Sequence, residues 1–153
     1  VYYSASGNTE RIAKVIAQKT NGDLFRVVPS PDYSAADLDY NNPESRVSKE
    51  NADPALRHVK LKQDTLPDFK DYANIFIGYP IWWGIAAWPV DSFVAKNDFA
   101  GKNVYPFSTS YSSPLGESGK KLEETAGAGT WHEGVRFRFD AGDDTVIEWL
   151  PSL

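Results

Sequence analysis

Three clusters along the chain carry residue types that could do chemistry. The first is Ser4-Ala5-Ser6-Gly7-Asn8-Thr9, hydroxyls and an amide around a glycine. Hydrogen bonds to a charged group contribute about 1.5–3 kcal/mol each, so several such donors could hold a phosphate without a lysine. Gly7 would let the backbone come close to the anion. The same residue types also build ordinary helix N-caps, and composition alone divides evenly between the two. The second cluster, Gly78-Tyr79-Pro80-Ile81-Trp82-Trp83-Gly84, places two indoles side by side. Adjacent Trp residues in a loop cannot both face one core, and an exposed indole suits the face of a flat heteroaromatic ring. Packing of the pair under a neighbouring segment is the alternative. The third cluster, Ser108-Thr109-Ser110-Tyr111-Ser112-Ser113, is rich in donors and holds one aromatic. Alone it also fits a surface turn.

The elements around these clusters decide whether they meet. Val1 to Tyr3 reads as a short β-rich segment. Ile12, Ala13, Val15, Ile16 and Ala17 follow at helical spacing, and Asn21-Gly22 closes that helix. Leu24 to Val28 reads as a second strand. Residues 29–65 are rich in Pro, Asn and Asp, with weak helices expected near Ala35–Tyr40 and Pro43–Glu50. A connection of that length is seldom idle, and covering a site is one use for it. Ile75-Phe76-Ile77-Gly78 is a continuous apolar run, as in a strand buried on both faces. A long apolar loop is expected after it. A helix over Val90–Ala95, a strand over Asn103–Phe107 and a helix over Gly119–Ala126 come next, the last broken by Gly127-Ala128-Gly129. Gly134 to Phe139 alternates as an edge strand does, and Asp143-Asp144 opens a last helix through Leu150.

This alternation predicts an α/β fold, a three-layer sandwich with a five-stranded parallel sheet in the order 2-1-3-4-5 and helices on both faces. The 153 residues fit a single domain over 1–153. In such a sheet the loops after strands 1, 3 and 4 line one crevice at the carboxyl edge. The three clusters occupy those loops. One offers a phosphate cradle, one an aromatic wall and one a polar edge, so a phosphorylated flat-ring ligand suits all three.

Composition removes other chemistries. The net charge is −5, which disfavours nucleic acid, and no polybasic cluster favours an anionic membrane. The absence of Cys excludes disulfides and thiolate catalysis, and His58 and His132 are too few to suggest a metal site. Redox chemistry would then need an organic cofactor. Neither G-x-x-x-x-G-K-[ST] nor a first-turn G-x-G-x-x-G is present. The uncharged stretch from Ala73 to Val90 contains Gly78, Pro80, Gly84 and Pro89 and reads better as a buried strand and loop than as a membrane span. No signal peptide is visible, and the expected location is cytoplasmic.

On these residues the chain resembles the flavodoxin superfamily. Ser4-Ala5-Ser6-Gly7-Asn8-Thr9 is similar to the family's phosphate loop. Gly78 to Gly84 and Phe107-Ser108-Thr109-Ser110 are similar to the ring-binding loops of a bacterial flavodoxin-like subgroup, as is the ending Glu148-Trp149-Leu150. The resemblance implies non-covalent FMN. Ser4, Ser6, Gly7, Asn8 and Thr9 would hold its phosphate. Pro80, Ile81, Trp82, Trp83 and Gly84 would line the ring, and Thr109, Ser110, Tyr111 and Ser112 would meet its other edge. No catalytic acid, base or metal is implied. The electrons would go to a redox partner protein or a small quinone-like acceptor. An NAD(P)H-dependent quinone reductase and a non-redox binding module are the rival readings. Electron-shuttling flavodoxins usually carry an acidic loop after strand 4, whereas here it is neutral and Ser-rich. Less like-charge repulsion on the reduced flavin predicts a less negative potential.

Overall fold

The computed structural model describes residues 1–153. Its spine is a parallel ladder between β1 (Asn74–Trp82) and β3 (Asn103–Ser110), in register from Asn74 opposite Asn103 to Pro80 opposite Thr109. β4 (Thr130–Trp131) and β5 (Val135–Arg138) both add to β3 in parallel. On the other flank, Tyr2 bridges Gly78 on one side and Arg26 on the other, both in parallel. Five chain segments thus run side by side in the expected succession.

The helices lie on both faces. Ile12, Ala13, Val15 and Ile16 of α1 (Asn8–Thr20) and Val146 of α5 (Asp143–Trp149) pack on Tyr2, Phe107 and Phe137. Val90, Phe93 and Val94 of α3 (Trp88–Lys96) and Leu122 of α4 (Ser118–Ala126) pack on Ile75, Ile77, Tyr79 and Val104. The odd and even residues of β1 separate between the two faces, as the pleat requires. Asn21 ends α1 in the left-handed conformation, with φ 54°. A short α2 (Arg46–Ala52) sits outside these layers and packs Val47 against Val59 and Trp88.

The structure departs from the sequence reading at five places. Val1–Tyr3 and Leu24–Val28 are single bridges and not regular strands, since Tyr2 alone pairs, with Arg26 on one side and Gly78 on the other. The ordered sheet path accordingly runs from β2 (Ile85–Ala86) through β1 and β3 to β4, with β5 also on β3. The expected apolar loop after the third strand is instead a continuation of β1 through Trp82. It turns back in two residues into β2 (Ile85–Ala86), an antiparallel pairing in an otherwise parallel sheet. Ala35–Tyr40 forms turns, because Ser34, Asp37 and Asp39 spend their side chains on nearby backbone N–H groups. The helix expected over Pro43–Glu50 begins later, at Arg46, where Ser45 caps it through Ser48 N.

The last edge strand is split into β4 and β5. Lys102 and Val104 turn their carbonyls to this flank, accepting from Thr130 and His132, so Pro106 faces it too and has no N–H to give. The ladder lapses opposite Pro106 and resumes at Val135.

Gly78 stands at the centre of β1, directly opposite Phe107, whose ring covers it. A Cβ built at Gly78 would lie 2.1 Å from the Phe107 ring. That ring also packs against Phe137 and Trp149, so it has nowhere to retreat. Overpacking of this kind costs about 1–3 kcal/mol or more. Gly78→Ala is expected to lower stability by at least that much in chemical denaturation. A variant as stable as the parent would contradict this packing.

Candidate functional site

The loops after Tyr3, β1 and β3 open at the same edge, because the three backbones run parallel and in register. Between them lies a cleft of about 540 Å³, within the ordinary range for small-ligand sites. Ala5, Ser6 and Asn8 form one wall and Pro80 to Trp83 a second. Thr109 to Ser113 close a third side, and Leu38 and Tyr40 complete the rim.

The first wall is the start of α1. Gly7 takes the left-handed conformation at φ 92°, and the space where its Cβ would stand is open. Ser4 is buried, and its Oγ accepts from Gly7 N and Glu10 N, which folds the turn. Ser4 therefore shapes the loop and does not face the cleft. Asn8 Nδ2 donates to Ser6 Oγ at 3.2 Å, and both line the cleft. The leading N–H groups of any helix have no partner within it and present a positive dipole end. Here Glu10 N is taken by Ser4 Oγ, and the N–H groups of Asn8 and Thr9 are left free beside Ser6. Thr9 is buried, and its Oγ1 shares a 2.8 Å hydrogen bond with Thr109 Oγ1, tying the first loop to the third.

The second wall is the hairpin. Trp83 and Gly84 are its two turn residues, with φ 45° and 81°. Positive φ at both central positions is the turn that matches strand twist, and Gly84 suits it. Trp83 does not, since a bulky residue with positive φ is strained. Trp83 is 47 % exposed, lines the cleft and stacks on Trp88 at 6.0 Å and 17°. Gly84 lies behind it, outside the cleft lining.

Trp82 is held edge-on by Tyr3, Tyr33 and Trp88, at centroid separations of 5.5, 5.4 and 4.9 Å. The two expectations for the Trp pair are thus divided between its members. Trp82 packs against the 29–65 segment through Tyr33, and Trp83 stays open.

A buried carboxylate fixes this aromatic group. Glu50 of α2, 7 % exposed, accepts from Tyr33 Oη at 2.5 Å, Trp88 Nε1 at 3.0 Å and Arg46 Nε at 3.2 Å. Arg46 also lies over the Tyr33 ring at 3.8 Å. Burial, then the bond to Glu50, pushes the Tyr33 hydroxyl well above the ordinary tyrosine range. Burial likewise raises Tyr79, whose Oη pairs with Ser118 Oγ, to about 12. The 29–65 segment thus supports the cleft from behind through Glu50 and supplies its rim through Leu38 and Tyr40.

The third wall is the loop after β3. Ser110 Oγ donates to Ser113 O at 2.5 Å and accepts from Arg136 Nε at 2.8 Å. Its hydroxyl is committed to the loop itself. Tyr111 is 70 % exposed and packs on Phe139 at 4.5 Å.

Of the fourteen residues expected at the site, ten line the cleft; Ser4, Gly7, Thr9 and Gly84 stand behind it and shape its loops. Sequence reasoning missed Leu38 and Tyr40, whose segment signalled only by its length. It also missed Glu50 and Arg136, because a lone charged residue in a helix or edge strand ordinarily reads as solvent-facing. The Arg46–Glu50 spacing of four was the one available hint.

Two outcomes test the support network. Glu50→Ala breaks a largely buried ion pair and leaves its donors unpaired, and is expected to cost about 3–5 kcal/mol in urea denaturation, with Glu50→Gln costing less. Tyr33 and Tyr79 titrate higher folded than the ordinary value of 10, so their contribution is whole below pH 10 and is lost as pH rises above it. Thermal stability is therefore expected to fall above pH 10, and less steeply in Tyr33→Phe.

Comparison with known proteins agrees with this architecture. A sequence model of the family described as Flavodoxin matches residues 1–153. A candidate flavoprotein from Bacteroides uniformis is 37% identical, aligned over 97% of this chain and 93% of that one, with a TM-score of 0.88. Another from Bacteroides eggerthii is 36% identical over 97% and 91%, with a TM-score of 0.86. A flavoprotein from Lactobacillus acidophilus, solved in complex with FMN, shares the fold at 23% identity over 97% and 94%, with a TM-score of 0.68. No curated protein matches the chain. With the family matched along its whole length on a parallel sheet flanked by helices, the chain belongs to the flavodoxin family.

Proposed function

We propose that the cleft holds one FMN without a covalent bond and that the protein passes electrons through it. One observation carries this reading: a helix N-terminus, an open indole and a loop of free donors border a single cleft of suitable size. Ser6, Asn8 and the leading N–H groups of α1 would hold the phosphate, with Ser4 and Gly7 setting their direction. Trp82, Trp83 and Tyr111 would border the ring system. Bound FMN would supply the electron exchange that protein side chains cannot. The FMN-bound relative from Lactobacillus acidophilus supports the reading. The Gly78–Gly84 hairpin would mark a subgroup within the family.

The acceptor we favour is a small planar molecule of quinone type. Leu38 and Tyr40 extend the cleft beyond the three binding loops with apolar and aromatic surface. Tyr40 is 71 % exposed, so a flat molecule could lie against it. Steady-state turnover with NAD(P)H and a quinone would separate a reductase from a carrier that only exchanges electrons with another protein.

The direct test is a visible spectrum of the protein after addition of FMN and desalting. Flavin bands are expected to persist. In the double variant Ser6→Ala, Asn8→Ala, affinity is expected to fall at least tenfold, since one lost bond to a charged group exceeds about 1.4 kcal/mol. A protein that stays colourless would contradict the proposal.

Trp83 gives a second test. Relief of a strained residue offsets about 1–3 kcal/mol, against about 0.5–1.5 kcal/mol for the lost stack and about 1–3 kcal/mol for the lost burial of half the indole. Trp83→Gly is thus expected to lower the stability of the FMN-free protein by no more than about 2 kcal/mol while weakening FMN binding about tenfold. Lost stability with unchanged affinity would show that Trp83 serves the fold.

A further inference from the structure

Arg136 is a half-buried cation on β5 that makes no ion pair. Its guanidinium gathers oxygens of the loop after β3. Nε donates to Ser110 Oγ at 2.8 Å, and Nη2 donates to Ser110 O at 3.2 Å and to Tyr111 O at 2.8 Å. Ser110 Oγ then donates to Ser113 O. The carbonyls of Ser110, Tyr111 and Ser113 are therefore all turned to donors within the protein. The N–H groups of Tyr111, Ser112 and Ser113 make no intramolecular hydrogen bond. With three of its four carbonyls tied back and three successive amides free, the loop presents mainly donors on its open side. This loop lines the cleft, and an unpaired positive charge stands behind it.

Under the FMN reading, the start of α1 would answer the phosphate, whose charge does not change with oxidation state, and Arg136 a different charge. Two-electron, one-proton reduction of a flavin leaves one added negative charge on its ring system. We propose that Arg136 is a positioning residue that biases the cleft toward the reduced cofactor, by holding the Ser110–Ser113 loop with its amides free and by placing a cation behind them. The inference rests on the FMN reading above. It assigns the expected rise in potential to one residue and not merely to the absence of acidic ones.

A purely structural role and an electrostatic one differ in their thermodynamics. A loosened loop would weaken both redox forms alike and leave the midpoint potential where it was. Loss of Arg136 is expected to weaken the reduced form more. The experiment is a redox titration of FMN-loaded parent and Arg136→Gln, with FMN affinity of the oxidised form measured by fluorescence. A failure of the parent to bind FMN overturns the functional reading itself and is seen before any variant is made. With the parent loaded, Arg136→Gln is expected to lose about tenfold more affinity for reduced than for oxidised FMN, a fall of about 30 mV for a two-electron couple. An unchanged potential overturns the proposal while leaving FMN binding intact. Should that variant not fold, Arg136→Lys keeps the charge but cannot span all three oxygens. It is expected to lose about threefold of the preference for the reduced form, and an unchanged ratio overturns the proposal equally.

Discussion

The parallel ladder between β1 and β3 is the constraint on which the rest depends. Its seven paired residues end at Pro80 and Thr109, so the indole hairpin and the Ser-rich loop leave the sheet at the same level. The bridge from Tyr2 to Gly78 brings the first loop to that level too. A shift of one residue would turn every β1 side chain to the wrong face. The Phe107 ring seated over Gly78 opposes such a shift, because no other position along β1 leaves room for it. The core thereby sets the geometry of the cleft.

Around the cleft, charge is divided by purpose. Glu50 is spent inward, on Tyr33, Trp88 and Arg46, and orders the aromatic wall from behind. Arg136 faces the opposite loop and is left without a counter-charge. The Thr9–Thr109 bond joins the two donor loops below the cleft floor. The cleft rim itself carries hydroxyls, amides and aromatic rings but no acidic side chain. In a chain of net charge −5 that is a local exception, and it suits an anionic ligand.

Much of this was legible in the sequence, for identifiable reasons. Apolar runs and helical spacing report burial, so the core elements β1, β3, α1, α3 and α4 stand where periodicity puts them. The three chemical clusters were legible because turn-forming and donor residues follow strands directly. Pairing was not legible. Nothing local distinguishes the Trp83-Gly84 hairpin from a loop, since its turn places a Trp where Gly or Asn is usual. The split of the last strand follows from Pro106 on its neighbour, a nonlocal effect. The division of labour within the site was also hidden. Ser4, Ser6 and Ser110 are identical in type, yet Ser4 and Ser110 spend their hydroxyls on their own loops, and Ser6 and Ser110 line the cleft while Ser4 does not.

Under the proposed function, the α1 end of the cleft holds the phosphate of a flavin nucleotide. Parallel titrations of the cofactor-free protein with FMN and with riboflavin, followed by flavin fluorescence, test it most directly. The two ligands share the ring system and differ in the phosphate. FMN is expected to bind at least about a hundredfold more tightly, as two hydrogen bonds to a charged group imply. Equal affinities, or no binding of either, would contradict it.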